Sequence, residues 1–341
     1  MSAVLVTGGA GYVGSHAAYE LAVAGHDVVL FDDLSAGHVE AADRLARAFP
    51  PGRVSFVRGD IGDAIAVGRA LRESKATAVM HFAARALVGE SVAQPLAYYR
   101  TNVTGTLTLL AAMVDAGVDR FVFSSTCATF GEPVRTPIDE THPQLPVNAY
   151  GETKLAVERA LPHLERATGL RSVALRYFNA AGAHPSGLLG EDHEPEAHLI
   201  PRAAAAAKGR GPLAVFGTDY PTPDGTCIRD YVHVSDLATA HVLALARLEA
   251  GGSSGAYNLG SGRGASVRQV IDSVGRATGR DVPFTVEPRR PGDPASLVAS
   301  SALARRDLAW APQFDSLDAI VGTACAWHER HPFGYRTPGS A

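Results

Sequence analysis

Residues 7–16 read TGGAGYVGSH and join a short apolar run, AVLV, to an alanine-rich stretch that ends near Ala24. Gly8, Gly11 and Gly14 fit a GxxGxxG template; Gly9, Gly11 and Gly14 fit GxGxxG. Either match alone is weak. Here strand-like sequence precedes the loop, helical sequence follows it, and a second apolar run, DVVLFDD, ends in acids. Glycines permit a tight turn and let backbone amides at the positive end of a helix approach a pyrophosphate. Asp32 follows Gly14 by 18 residues, close to the ~20 expected of an acid that holds a ribose diol. No arginine in the following LSAGH is placed to meet a 2′-phosphate. The loop therefore points to NAD rather than NADP.

Further runs, VSFVRGD, TAVMHFAA, RFVFSST and SVALRYFN, alternate with longer helical stretches. Continuous apolar strands separated by helices predict an α/β fold, a doubly wound parallel sheet of Rossmann type. After about Ala180 the alternation breaks in GAHPSGLLGEDHEPEAHLIP, and shorter elements follow. These are a helix near 199–208, strands in PLAVFG and CIRDYVHV, a helix near 235–249 and a strand in AYNLG. The expected organisation is a nucleotide-binding lobe over 1–180, with a return segment near 231–262. A smaller mixed α/β C-terminal substrate-binding domain occupies 181–341.

The 341 residues are 46% apolar and 19% charged with a net charge of −4, an ordinary globular balance without the broad basic face of a nucleic-acid binder. The N-terminus lacks the basic segment of a signal peptide, and no apolar run approaches the ~20 residues of a membrane span. Three scattered cysteines, Cys127, Cys227 and Cys325, fit a reducing, cytoplasmic setting. Among 13 histidines there is no HExxH. His193 and His198 lie in the acidic loop GEDHEPEAH, read as a solvated loop; no metal site is expected.

In NAYGETKLAVER, Tyr150 and Lys154 stand four residues apart, on one face of a helix. Any surface helix shows such a pair by chance; beside a pyridine nucleotide it acquires chemistry. The sequence resembles the extended short-chain dehydrogenase/reductase family through TGGAGYVGSH, HFAA, SSTCATFG and YGETK, in that order. It is more closely similar to the UDP-glucose 4-epimerase (UDP-galactose 4-epimerase) family. HFAARALVGESVAQPLAYYRTNVTGT, LRYFNAAGAH, VFGTDYPTPDGTCIRDYVHV, YNLGSG and PRRPGD carry that likeness.

The resemblance implies reversible C4 epimerisation of a UDP-sugar with bound NAD. Tyr150 and Lys154 would be catalytic with Thr126, Lys154 and the positive nicotinamide ring of bound NAD both lowering the phenol's pKa. The cofactor would meet Gly8, Gly11, Tyr12, Val13, Asp32, Asp33, Asp60, Ile61, Phe82, Ala83, Ala84, Asn102, Ser124 and Tyr177. The sugar nucleotide would meet Phe178, Asn179, His198, Leu199, Ala214, Val215, Phe216, Arg229, Tyr231, Arg290, Asp293 and Leu297. A homodimer through helices near 94–116 and 149–168 is also implied.

Three positions depart from or vary within that pattern. Ala86 stands where the best-known bacterial sequences have lysine. Cys127 falls where some related 3,5-epimerases use an acid–base cysteine; the plain reading is a small buried residue. Leu297 is intermediate where bulk limits the sugar's 2-substituent, which leaves N-acetylhexosamines and pentoses open as substrates. A nucleotide-sugar 4,6-dehydratase would have Asp-Glu where Cys127 and Ala128 stand. A non-catalytic NAD-binding regulator would usually have lost the tyrosine or the lysine.

Overall fold

The computed structural model describes residues 3–290 and 293–336; Pro291 and Gly292 of PRRPGD and both chain ends lie outside them. The first six strands are β1 (Ala3–Thr7), β2 (Asp27–Asp32), β3 (Val54–Arg58), β4 (Ala76–His81), β5 (Arg120–Thr126) and β6 (Arg171–Tyr177). Next come β7 (Asn179–Ala181), β8 (Leu213–Phe216) and β9 (Ile228–His233), which leave this sheet, and β10 (Gly255–Leu259), which returns to it. The sheet is wholly parallel, in the order β10-β6-β5-β4-β1-β2-β3. It reverses direction of growth between β1 and β4, and such a switch point opens a crevice at the strands' C-terminal ends.

Alternation across β1 fixes which helices cover which face. Val4 and Val6 join a core with Leu21 of the helix Tyr12–Val23 and Leu237 and Leu245 of the helix Val234–Glu249. Leu5 faces the other way, with Val67, Leu71, Leu109 and Val157. Val4, Leu5 and Val6 are all fully buried, as expected where both faces of a parallel sheet are covered.

The helix Ala149–Thr168 begins where the Asn148 side chain accepts from the Gly151 amide, and ends at Gly169 in left-handed conformation. The helix expected over 94–116 is not uniform: Pro95–Tyr98 and Thr106–Asp115 are α-helical, and Tyr99–Gly105 widens to π-type turns. The wide segment contains buried Asn102, whose side chain bonds out of the helix.

The remaining strands are β11 (Gly264–Ser266), β12 (Phe284–Glu287) and β13 (Ser296–Leu297). β8 pairs with β12. The first half of β9 lies between β11 and β13, and its second half runs beside β7. Helices Leu199–Ala207, Val267–Thr278 and Leu317–Arg330 enclose a separate core here, with Ile200, Val270 and Ile320.

Candidate active site

The glycine turn is built by close approach. Gly8 has φ +71°, and a Cβ on it would lie 2.5 Å from the Ala83 amide nitrogen. A Cβ on Gly14 would lie 2.1 Å from the Gly8 carbonyl oxygen. The amides of Phe82 and Ala83 both donate to the Thr7 carbonyl, at 2.8 and 3.1 Å. The turn after β1 and the turn after β4 are thus locked together at the switch point. Asp32 is buried at the end of β2, where one carboxylate oxygen accepts from the Ala10 amide (3.0 Å) and the other from the Leu34 amide (2.9 Å). Burial raises its pKa, against those two bonds. A carboxylate with two of about four acceptor sites filled still has lone pairs for a diol. Bare backbone at the turn and a spare acceptor beyond it fit an NAD molecule.

Other sequence candidates have different surroundings. The Tyr12 hydroxyl donates to the Gly182 carbonyl (2.6 Å), so its side chain ties down the chain just after β7, and only its backbone is left for a phosphate. Val13 and Ala84 are half-buried; Asp33 and Asp60 are exposed, and each accepts an amide two residues ahead, of Ser35 and Gly62. Ile61 is buried in the core. Asn102 accepts from the Arg85 amide (2.8 Å) and donates to the Arg85 carbonyl (3.0 Å) and the Thr153 hydroxyl (3.1 Å). Its amide positions the loop after β4.

At the end of β5, Ser124 shares a hydrogen bond with the Tyr177 hydroxyl, and Lys154 donates to the Ser124 carbonyl (2.9 Å). The Lys154 ammonium also sits 4.9 Å from the centre of the Phe123 ring. Burial lowers the Lys154 pKa to about 7, with Glu158 pulling upward. Tyr150 is half-buried. Loss of solvent pushes its phenol well above the usual range, Tyr177 adds to this, and the hydrogen bond from Thr126 opposes it. The Lys154 ammonium is directed at the Ser124 carbonyl. Cys127 is pushed up to about 12 by burial, so the thiol stays protonated. By accessibility Cys127 is half-buried, less covered than the small buried residue expected.

Behind this group the sequence gives no warning of Glu158. Its carboxylate receives Arg176 Nε at 3.0 Å, Arg176 Nη2 at 2.5 Å, Gln144 Nε2 at 3.1 Å and the Ser125 hydroxyl. The pair is almost fully buried and pins the helix of Tyr150 and Lys154 to β5 and β6. Asp230 was missed likewise. It is fully buried and accepts from the amides of Ser261, Gly262 and Ala299, which holds three segments around β9.

The sugar-nucleotide candidates fall in two groups. Arg229 pairs with Asp293 and donates to the carbonyls of Ile228 and Pro294, at 2.8 and 2.9 Å. Leu297 lies opposite it in the register of β13 and β9, and packs with Cys127 against Phe178 and Phe130. Asn179, beside buried Tyr231, donates to the Asp230 carbonyl (3.0 Å). In the second group the Arg290 guanidinium lies over the Phe216 ring, 3.8 Å from its centre. Ala214 is half-buried next to Val215, whose side chain is in the core. Leu199 opens its helix.

His198 precedes Leu199 in the loop expected to be solvated, and the loop is so in part: Glu194, Pro195, Ala197 and His198 are exposed. Glu191 is only 3% exposed, and the side chains of Glu191, His193, Glu196 and His198 converge. Burial disfavours charge on both rings, yet the two carboxylates outweigh it, and His193 rises to about 9 and His198 to about 10. A local sequence window cannot show that a proline-containing loop folds an acid under itself.

A glycine cradle at a sheet switch point, with tyrosine and lysine one turn apart at the neighbouring strand ends, defines a pyridine-nucleotide enzyme of the short-chain dehydrogenase type. The chain belongs to the NAD dependent epimerase/dehydratase family, whose model matches residues 4–260. It is 50% identical over 336 residues, 98% of each chain, to the UDP-glucose 4-epimerase of Halalkalibacterium halodurans. The UDP-glucose 4-epimerase of Brucella ovis, solved in complex with NAD, matches 96% of this chain and 98% of its own, with 50% identity and a TM-score of 0.90. That of Bifidobacterium longum, in complex with NAD+ and UDP, matches 98% and 100%, with 38% identity and a TM-score of 0.92.

Proposed function

We propose that this chain is a UDP-glucose 4-epimerase, interconverting UDP-glucose and UDP-galactose through a transient 4-keto sugar with NAD retained on the enzyme. The observation that carries the reading is the grouping of Tyr150, Thr126 and Lys154 at the strand ends beside the glycine cradle. Gly8, Gly11, Asp32 and Lys154 would hold the cofactor. Bound NAD supplies the hydride acceptor and donor at sugar C4, and a positive charge that favours the phenolate. Tyr150 takes the proton from the 4-hydroxyl and returns it after the flat ketone has turned its other face; Thr126 orients the phenol. Arg229 and Arg290 suit the diphosphate, since guanidinium forks match phosphate oxygens, and Phe216 offers a flat face for uracil.

Purified enzyme given UDP-galactose without added NAD is expected to form UDP-glucose, identified by proton NMR. A 4-keto-6-deoxy product, or none, would overturn the assignment. The packing of Leu297 against Phe178 favours a second question, whether N-acetylated sugars enter; the ratio of kcat/KM for UDP-galactose and its N-acetylated analogue answers it.

Three further readings belong with this one. The division into lobes at about 180, with 231–262 returning, is supported by the separate core around Ile200, Val270 and Ile320. A homodimer is supported by exposed Leu96, Tyr99, Leu107 and Val114 along the 95–115 helix, an apolar row without cover; sedimentation would test it. A cytoplasmic location is supported by free Cys127, Cys227 and Cys325; among the described residues no helix is long and apolar enough to cross a membrane.

A further inference from the structure

The connector between β7 and the helix Leu199–Ala207 gathers four metal-ligating side chains within eight residues. Glu191 Oε1 lies 2.7 Å from His198 Nδ1 and 3.4 Å from His193 Nδ1. Glu196 Oε1 lies 3.3 Å from His198 Nδ1, and its Oε2 lies 3.7 Å from His193 Nδ1. Donor atoms about 2.0–2.1 Å from a tetrahedral zinc ion stand about 3.3 Å from one another; two of these separations, 3.3 and 3.4 Å, match that edge, and one donor atom from each of the four residues lies within 4.8 Å of the others. An independent observation points the same way. Glu191 Oε1 and His193 Nδ1 are both buried from solvent, and neither has a hydrogen-bond partner among the described residues. The groups are close without being aligned for hydrogen bonding to one another. Buried polar groups are nearly always bonded, and a shared cation is what donors aimed at a common point accept.

We propose that Glu191, His193, Glu196 and His198 form a structural binding site for one divalent cation of the zinc type. Two carboxylates balance its charge, and two imidazoles suit a borderline ion better than magnesium or calcium, which prefer oxygen. Four protein ligands fill a tetrahedral shell and leave no open position for chemistry. The half-exposed His198 ring leaves a route for entry.

The site would fasten the connector at a junction. The Tyr12 ring meets His193 edge-on at 6.1 Å, His38 Nε2 lies 2.9 Å from the Asp192 carbonyl, and the Tyr335 amide donates to the Asp192 carboxylate (2.8 Å). The cation would thus brace the start of the glycine-loop helix, the C-terminal segment and the first turn of Leu199–Ala207.

The test uses the full-length enzyme with its bound nucleotide, stripped by chelator and titrated with zinc ion alone. Metal content after gel filtration is read by mass spectrometry, and the melting temperature is followed with and without zinc. One zinc per chain and a zinc-dependent rise in melting temperature are expected, since a ligand of the native state stabilises it. His193→Ala and, separately, Glu196→Gln should weaken binding by at least about 100-fold, the upper range for loss of even an outer-shell partner, and abolish the rise. Anomalous scattering at the zinc edge from wild-type crystals should place the ion between these four residues, which keeps the proposal testable if a variant fails to fold. Retention of less than a tenth of an equivalent by the wild type would overturn it. So would one equivalent held equally by both variants, or an anomalous peak elsewhere.

Discussion

Glu158→Gln removes one charge from the buried pair behind the catalytic helix and leaves Arg176 without its counterion. Side-chain exposures of 6% for Glu158 and 8% for Arg176 place the pair where breaking one partner costs about 3–5 kcal/mol, because the surviving charge stays buried. Unfolding entropy near 2.1 cal/mol/K per residue, over 341 residues, converts this to a fall of about 4–7 °C in melting temperature. Calorimetry or urea unfolding under saturating NAD measures it. The double variant Glu158→Leu with Arg176→Met should recover most of the loss, since well-packed apolar groups often replace such pairs at no cost. The charge of Glu158 also supports the Lys154 ammonium, which burial has already depressed to about 7. Its removal lowers that pKa further, so the alkaline fall in turnover should move to lower pH. A single variant losing under about 1 kcal/mol, or a double variant no better than the single, would refute the reasoning.

Tyr150→Phe should fold and retain NAD while kcat falls by about 10²–10⁴, the usual share of a general acid–base group; a near-wild-type rate would reject its role. Gly14→Ala puts a methyl 2.1 Å from the Gly8 carbonyl oxygen, so the purified variant should lack NAD fluorescence after reduction, and a full complement would contradict the cradle. Lys154 binds its proton less tightly in the folded chain than in the unfolded one, chiefly through burial. The destabilisation is complete below pH 7 and is relieved as pH rises from about 7 toward the ~10.4 of a free lysine. Lys154→Met should therefore be more stable than wild type at pH 6 and lose that advantage by pH 10, in urea unfolding; a difference independent of pH would count against it.

The parts legible in sequence were those written in short windows. The glycine loop, the apolar strands and the Tyr150–Lys154 spacing each occupy a dozen residues or fewer, and each carries its own periodicity or turn chemistry. In the structure the helix of Tyr150 and Lys154 is bounded by the Asn148 cap and by Gly169 in left-handed conformation, as capping chemistry favours. What stayed hidden depends on partners far along the chain. Tyr12 is spoken for by Gly182, Glu158 by Arg176, and Asp230 by Ser261 and Ala299. A helical spacing fixes the face of Lys154 but not the target of its ammonium, and that target is the Ser124 carbonyl. The π-type turns at Tyr99–Gly105 have no counterpart in hydrophobic pattern, since their residues read as ordinary helix.

The return of β10 to the edge of the large sheet has a bearing on how this protein can be taken apart. The polypeptide leaves the sheet after β6, begins the other half, and comes back with a helix and a strand before leaving again. No single scission frees either half with its fold complete, so neither can be swapped as a cassette. Any opening of the cleft must bend several covalent tethers together, which favours a small breathing motion over a wide jaw-like swing.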